Sequence, residues 1–196
     1  MTDSGQDVRH RLVEGAADLI GRRGLRASTV RDLAKHAQTP EGSTYHYFPG
    51  GKQQLAAAAV RLNGEQVCQV VGKGLEDGPI AGLRVFVAAV RMLITSTDFR
   101  GGCPVLAVAV EGPDGADIPP ALSAAAEVFA SWESMFARSL EREGINEAQA
   151  RQLGTLVVGA IEGAVAMCRA KQCIDPLDNV AESVETLLRT VTATAR

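Results

Sequence analysis

The chain has 196 residues, 46% hydrophobic and 22% charged, with a formal net charge of −3. That length suits one large domain or a small head on a larger body, and the composition excludes disorder as the dominant state. Only eight residues are aromatic, while Ala, Val, Leu and Gly abound, which favours close-packed helices over an aromatic-rich β-sandwich.

Helical periodicity dominates, and Gly and Pro mark the breaks. Leu12, Ala16, Leu19 and Ile20 form one apolar stripe, which Gly24 should stop in the left-handed conformation. Thr29 restarts the chain as a cap, with Asp32 three residues on as its capping-box partner, for a short helix from Val30 to about Ala37. After the turn Gln38-Thr39-Pro40, Pro40 suits the entry to a second short helix from Glu41 to Tyr47, closed by Phe48 and the break Pro49-Gly50-Gly51.

A long helix is predicted from about Lys52 to about Val71, with Leu55, Ala59, Leu62, Gln66 and Val70 on one face and Gly72, Gly74, Gly78 and Pro79 ending it. Leu83, Phe86, Val87, Val90 and Ile94 mark another from Ile80 to about Thr97. The apolar run from Cys103-Pro104 to Val110 has strand length but no strand to pair with, so it reads as a short helix. Glu111 to Pro120, with Pro113, Asp114, Gly115 and Asp117, is a loop. Leu122, Ala126, Phe129, Trp132, Phe136 and Leu140 give a helix ending near Gly144. Asn146 caps the next, and Val180, Val184, Leu187, Leu188 and Val191 mark the last. The expectation is all-α, with about nine helices.

Charge is unevenly spread along this order. Residues 1–52 carry eight Lys/Arg against six Asp/Glu, a net of +2, and all three histidines; residues 53–196 carry twelve against seventeen, a net of −5. Cys68, Cys103, Cys168 and Cys173 form no C-x-x-C pair and have no histidines nearby, so they read as reduced, mostly buried thiols, with no metal site and no cofactor. Met1 to Gln6 is polar with no apolar signal core after it, and the apolar stretch Leu153 to Cys168 is interrupted by Glu162. A soluble, cytoplasmic protein without a membrane partner is expected.

Two short helices joined by a tight turn and braced by a longer one match a helix-turn-helix. Gly42 and Ser43 are small enough to let a reading helix approach base edges. Tyr45 and Tyr47 offer flat faces to thymine methyls and hydroxyls to phosphates, and His46 can donate to either. Thr29 presents a helix N-terminus, an anion site in its own right. The bland alternatives are a Tyr-His-Tyr-Phe run that is half core and arginines that are merely solvated. Glu41 either turns toward a base amino group or lowers nonspecific affinity by repelling phosphate.

The stretch Thr29-Val30-Arg31-Asp32-Leu33-Ala34 with Gly42-Ser43-Thr44-Tyr45-His46-Tyr47-Phe48-Pro49-Gly50-Gly51-Lys52 resembles the N-terminal domain of the TetR family of repressors. The run Gly101 to Leu106 with Glu111 following resembles its LmrA/YxaF-like branch, which includes repressors of multidrug efflux genes. The resemblance implies a helix-turn-helix head over residues 1–51 and a ligand-binding, dimerising body over residues 52–196. It implies base contact by Tyr45, backbone contact by Tyr47, a phosphate clamp at Lys52 and a base-reaching position at Arg31. It also implies a homodimer on a palindromic double-stranded DNA operator, released by a small-molecule inducer and controlling efflux or catabolic genes. The sequence departs from the family pattern at Gln38, where glycine is common, and at Thr39 and Thr44, where apolar residues are usual.

In the body, Phe86, Cys103, Phe129, Trp132, Phe136 and Met167 are candidate walls of a pocket for an apolar or aromatic effector. Glu162 is a polar group that either selects the ligand or bonds across the dimer. Gly159 and Gly163, with Val184, Leu187, Leu188 and Val191, make the last two helices the candidate dimer surface, or else serve the monomer core. A small helical enzyme or a protein-interaction module without DNA binding is the alternative class.

Overall fold

The computed structural model describes residues 3–113, 115 and 117–195, with side chains from Gln6 onward; Asp114 of the acidic loop and Met1 and Thr2 of the polar start lie outside them. Among the described residues there are nine helices and no strand: α1 (Asp3–Arg23), α2 (Val30–His36), α3 (Glu41–Tyr47), α4 (Gly51–Glu76), α5 (Pro79–Ser96), α6 (Pro104–Glu111), α7 (Pro120–Arg142), α8 (Glu147–Lys171) and α9 (Asp175–Thr194). They form two compact units, one of residues 1–64 and 103–128, the other of residues 65–102 and 129–196.

In the first unit, Leu12, Ala16, Leu19 and Ile20 bury the α1 stripe together with Leu33, Ala34, Phe48 and Leu55. α1 packs on α2, α3 and α6. It stops where expected, because Gly24 takes φ +82° while its N–H bonds the Ile20 carbonyl at 2.8 Å. Gln38 takes the left-handed conformation at φ 53° despite its side chain. It is held there by bonds from its own N–H to Lys35 O and from Thr39 N–H to Ala34 O, the paired closure that satisfies the last carbonyls of a helix. The Thr39 hydroxyl finds a partner in the same carbonyl, Ala34 O, at 3.3 Å.

The second unit is built on α5, α8 and α9, each packed on the other two. Phe86, Trp132 and Phe136 are almost fully buried, and edge or tilted ring contacts join Phe86 to Trp132 and Phe136, and Trp132 to Phe129. Arg84 of α5 and Arg189 of α9 both bond the Glu185 carboxylate, which they hold down at about 2. Arg91 makes a second α5–α9 ion pair with Asp178.

Three expectations change. α4 does not end near Val71 but runs through Gly72 and Gly74 to Glu76, because Gly74 serves close packing: a Cβ there would lie 2.8 Å from a Val85 methyl. Its predicted face holds only at the start, where Leu55 and Ala59 are buried; Gln66 and Val70 are exposed, and Val60, Val71 and Leu75 are buried instead. On α9 the stripe divides, Val184 and Leu188 entering the core while Leu187 stays 37% exposed. The run after Cys103 is helical, as its lack of a strand partner required. α5 and α8 are each long and apolar enough to cross a bilayer by length and composition, and both pack as core helices of the second unit, α8 burying Glu162.

Candidate nucleic-acid interface

The reading head is assembled from its caps. The Thr29 hydroxyl accepts the Asp32 N–H at 3.1 Å, and the Asp32 carboxylate takes both the Thr29 N–H at 3.0 Å and the Thr29 hydroxyl at 2.6 Å. These bonds to Thr29 hold the Asp32 carboxyl below its usual range. The Thr29 side chain is therefore engaged in starting α2. At the other end of α2, His36 Nε2 meets Asp18 of α1 at 2.7 Å. Burial pushes the Asp18 carboxyl up, but hydrogen bonds from Arg22 and His36 outweigh it and leave the group lowered.

Pro40 leads into α3, and Phe48, buried to 1%, closes it against the head core with the Arg9 guanidinium 5.2 Å above its ring. Phe48 thus takes the core part of the Tyr-His-Tyr-Phe run. Tyr45 is 58% exposed, His46 is exposed with its ring 4.7 Å from that of Tyr47, and Tyr47 is half-buried. Gly42 is exposed, with nothing within 4 Å of where a Cβ would sit, and Ser43 is half-buried. Thr44 is fully buried, and its Oγ1 meets no hydrogen-bond partner. Arg31 is exposed and pairs with Glu41 at 3.6 Å. Lys52 is half-buried and donates to the Leu25 carbonyl at 3.2 Å, so it fastens the α1–α2 turn as well as standing at the start of α4.

The remaining candidates are scattered. Phe86, Phe129, Trp132 and Phe136 meet in the second unit, where Glu162 is also buried, whereas Cys103 belongs to the first. Met167 is 41% exposed on α8. Gly159 and Gly163 are also exposed, with nothing within 4 Å of a built Cβ, so they do not pack on a helix of the same chain. A groove of about 630 Å³ in the second unit is lined by Gly72, Leu75, Met135, Arg138, Glu141 and Arg142, polar and apolar residues whose spacing gave no sign of a shared cavity. No group of three His, Cys, Asp or Glu among the described residues is placed to hold a metal ion.

A capped α2, a short α3 with its polar face outward and a bracing α1 define a helix-turn-helix protein. Residues 12–59 match the family described as bacterial regulatory proteins, tetR family, and residues 79–183 match the C-terminal domain of LmrA/YxaF-like transcriptional regulators. The chain belongs to the TetR family, in its LmrA/YxaF-like branch, and is a DNA-binding regulator of transcription rather than an enzyme. It is 37% identical over 186 residues to the uncharacterized HTH-type transcriptional regulator Rv0196 of Mycobacterium tuberculosis, covering 93% of this chain and 95% of that protein. It is 31% identical to the uncharacterized regulator YxaF of Bacillus subtilis, over 96% of this chain and 98% of the relative. It is similar in structure to a TetR transcriptional regulator from Chloroflexus aurantiacus, with a TM-score of 0.77 at 26% identity over 96% of this chain and 97% of the other.

Proposed function

We propose that the chain is a ligand-responsive repressor that binds a palindromic operator as a homodimer and leaves it when a small molecule enters the body. The observation that carries the reading is Tyr45, a large aromatic residue left 58% exposed on α3 beside bare Gly42, on a helix anchored to the head by buried Phe48. The flat face of Tyr45 suits a thymine methyl and its hydroxyl suits a phosphate, and both are open to solvent on the helix that would enter a major groove. The proposed contacts are Gly42, Ser43, Tyr45 and His46 at bases, and Tyr47, Lys52 and the α2 start at Thr29 along the backbone, with Arg31 reaching a base. The functional head is proposed as residues 1–51 and the body as residues 52–196.

Dimerisation is assigned to α8 and α9. Leu156, Met167 and Leu187 are large exposed apolar residues there, and Gly159 and Gly163 leave α8 bare between them. A two-fold reader needs paired half-sites, and an isologous contact supplies them.

The effector is proposed to be apolar or aromatic and to enter among Phe86, Phe129, Trp132 and Phe136, with Glu162 as the polar group that orients it. These rings touch in the present packing, so a ligand must rearrange them. Binding energy spent on one conformation is what links ligand to DNA. α4 starts at the head and continues for 26 residues, which suits it to carry that change. The protein acts in the cytoplasm, on efflux or catabolic genes.

The experiment is salt-dependent binding to duplexes selected from a random pool, followed by a search for compounds that release them. A Tyr45→Ala variant must bind the selected duplex more weakly than the parent does. A compound that demonstrably binds the body yet leaves operator affinity unchanged would defeat the ligand-release mechanism.

A further inference from the structure

Arg31 and Glu41 face each other across the turn of the helix-turn-helix, Nε to Oε2 3.6 Å, with their side chains 82% and 56% exposed. One lies in the first turn of α2 and the other opens α3. An ion pair this exposed contributes little to folding, so stability does not explain it. On a surface that meets a polyanion the carboxylate is a liability, since phosphates repel it.

A carboxylate becomes useful there only against a donor on a base edge, and in the major groove the donors are the amino groups of cytosine and adenine. The arginine beside it narrows the choice. Its planar fork matches O6 and N7 of guanine, and the cytosine amino group lies beside that O6 in the same base pair. Gly42, next to Glu41, has no side chain and nothing within 4 Å of where one would begin, so the pair has room to reach the groove floor.

We propose, on the basis of the DNA-reading role of α3 given above, that Arg31 and Glu41 act as one reader of a G·C pair in each half-site. Arg31 donates to the guanine, while Glu41 accepts from the cytosine amino group and steadies the guanidinium from its other side. Glu41 thereby works as a specificity residue, lowering affinity for every duplex that lacks this pair.

The test is selection from a random-sequence duplex pool with the parent, Glu41→Gln, Arg31→Ala, the double variant and Tyr45→Ala. Both side chains are exposed, so the fold tolerates their replacement. Glu41→Gln and Arg31→Ala should each weaken preference at the same G·C position, by about ten-fold or more. The double variant should be no worse there than Arg31→Ala, and Glu41→Gln should bind unselected duplex more tightly at low salt. Tyr45→Ala should relax a different position. The pairing is overturned if Glu41→Gln and Arg31→Ala relax no position, or relax separate ones, while Tyr45→Ala still responds. A parent that enriches no sequence at all overturns the DNA-reading role itself, and this inference with it.

Discussion

The carboxylate of Glu111, the last residue of α6, accepts the backbone N–H of Arg26 through both oxygens, at 3.1 and 2.9 Å, across 85 residues of sequence. It lies over Gly24, where a Cβ would come within 2.4 Å of Oε1. Lys52 holds the Leu25 carbonyl between them. The turn that aims α2 is therefore fastened by α6 on one side and by the start of α4 on the other.

Removing that carboxylate should loosen the head. Glu111→Ala is expected to cost about 1.5 kcal/mol, the low end of the range for a hydrogen bond to a charged group, because this one is exposed. Gly24→Ala is expected to be at least as harmful, since it forces a Cβ both into the left-handed region and against Glu111. Thermal unfolding with hydrogen exchange at Arg26 measures both; unchanged exchange in Glu111→Ala would show that the contact does not hold the turn.

Thr44→Val should stabilise the protein or leave it unchanged. The Thr44 hydroxyl is buried without a partner, so an isosteric methyl removes a desolvated polar group worth about 1–3 kcal/mol. The melting temperature reports it, with operator affinity as the control that α3 has kept its place.

Acid should weaken the α5–α9 contact in a defined window. The folded pKa of Glu185 is depressed from 4.5 to about 2 by Arg84 and Arg189, so its contribution is present above pH 4.5 and is lost as pH falls toward about 2. The lowered carboxyl of Asp18 adds a loss of the same sign in the head. Glu185→Gln should flatten the acid limb of a denaturant-midpoint profile, and an unaltered limb would contradict the assignment.

Gly159→Leu and Gly163→Leu should separate assembly from folding. Neither new side chain meets anything within 4 Å of its Cβ in the chain, so the monomer should keep its helicity. Sedimentation should nevertheless show loss of the dimer, with operator binding lost alongside it. A variant that stays dimeric places the interface elsewhere.

Much of the head was legible because its signals are local. Gly24, the Thr29–Asp32 pair and Pro40 each act within a few residues of themselves, and the structure uses all three as the sequence suggests, while Gln38 takes the left-handed conformation although it stands where the family commonly has glycine. The length of α4 was not legible, since Gly74 breaks helices by propensity and only its contact with Val85 shows why it is kept. The same holds for Glu111, whose partner is 85 residues away, and for Leu187, whose exposure beside buried Leu188 depends on how α9 is rotated against its neighbours. Long-range packing decides these, and one chain's periodicity does not carry it.

The most direct test of the account is the affinity of the full chain and of Tyr45→Ala for the duplex selected from a random pool, measured across a salt series. A palindromic sequence bound by two chains is expected, with affinity that falls steeply with salt, and with sequence preference weakened in Tyr45→Ala at the position Tyr45 reads while nonspecific binding is retained. Equal discrimination by the parent and Tyr45→Ala, or a selected sequence without two-fold symmetry, would contradict it.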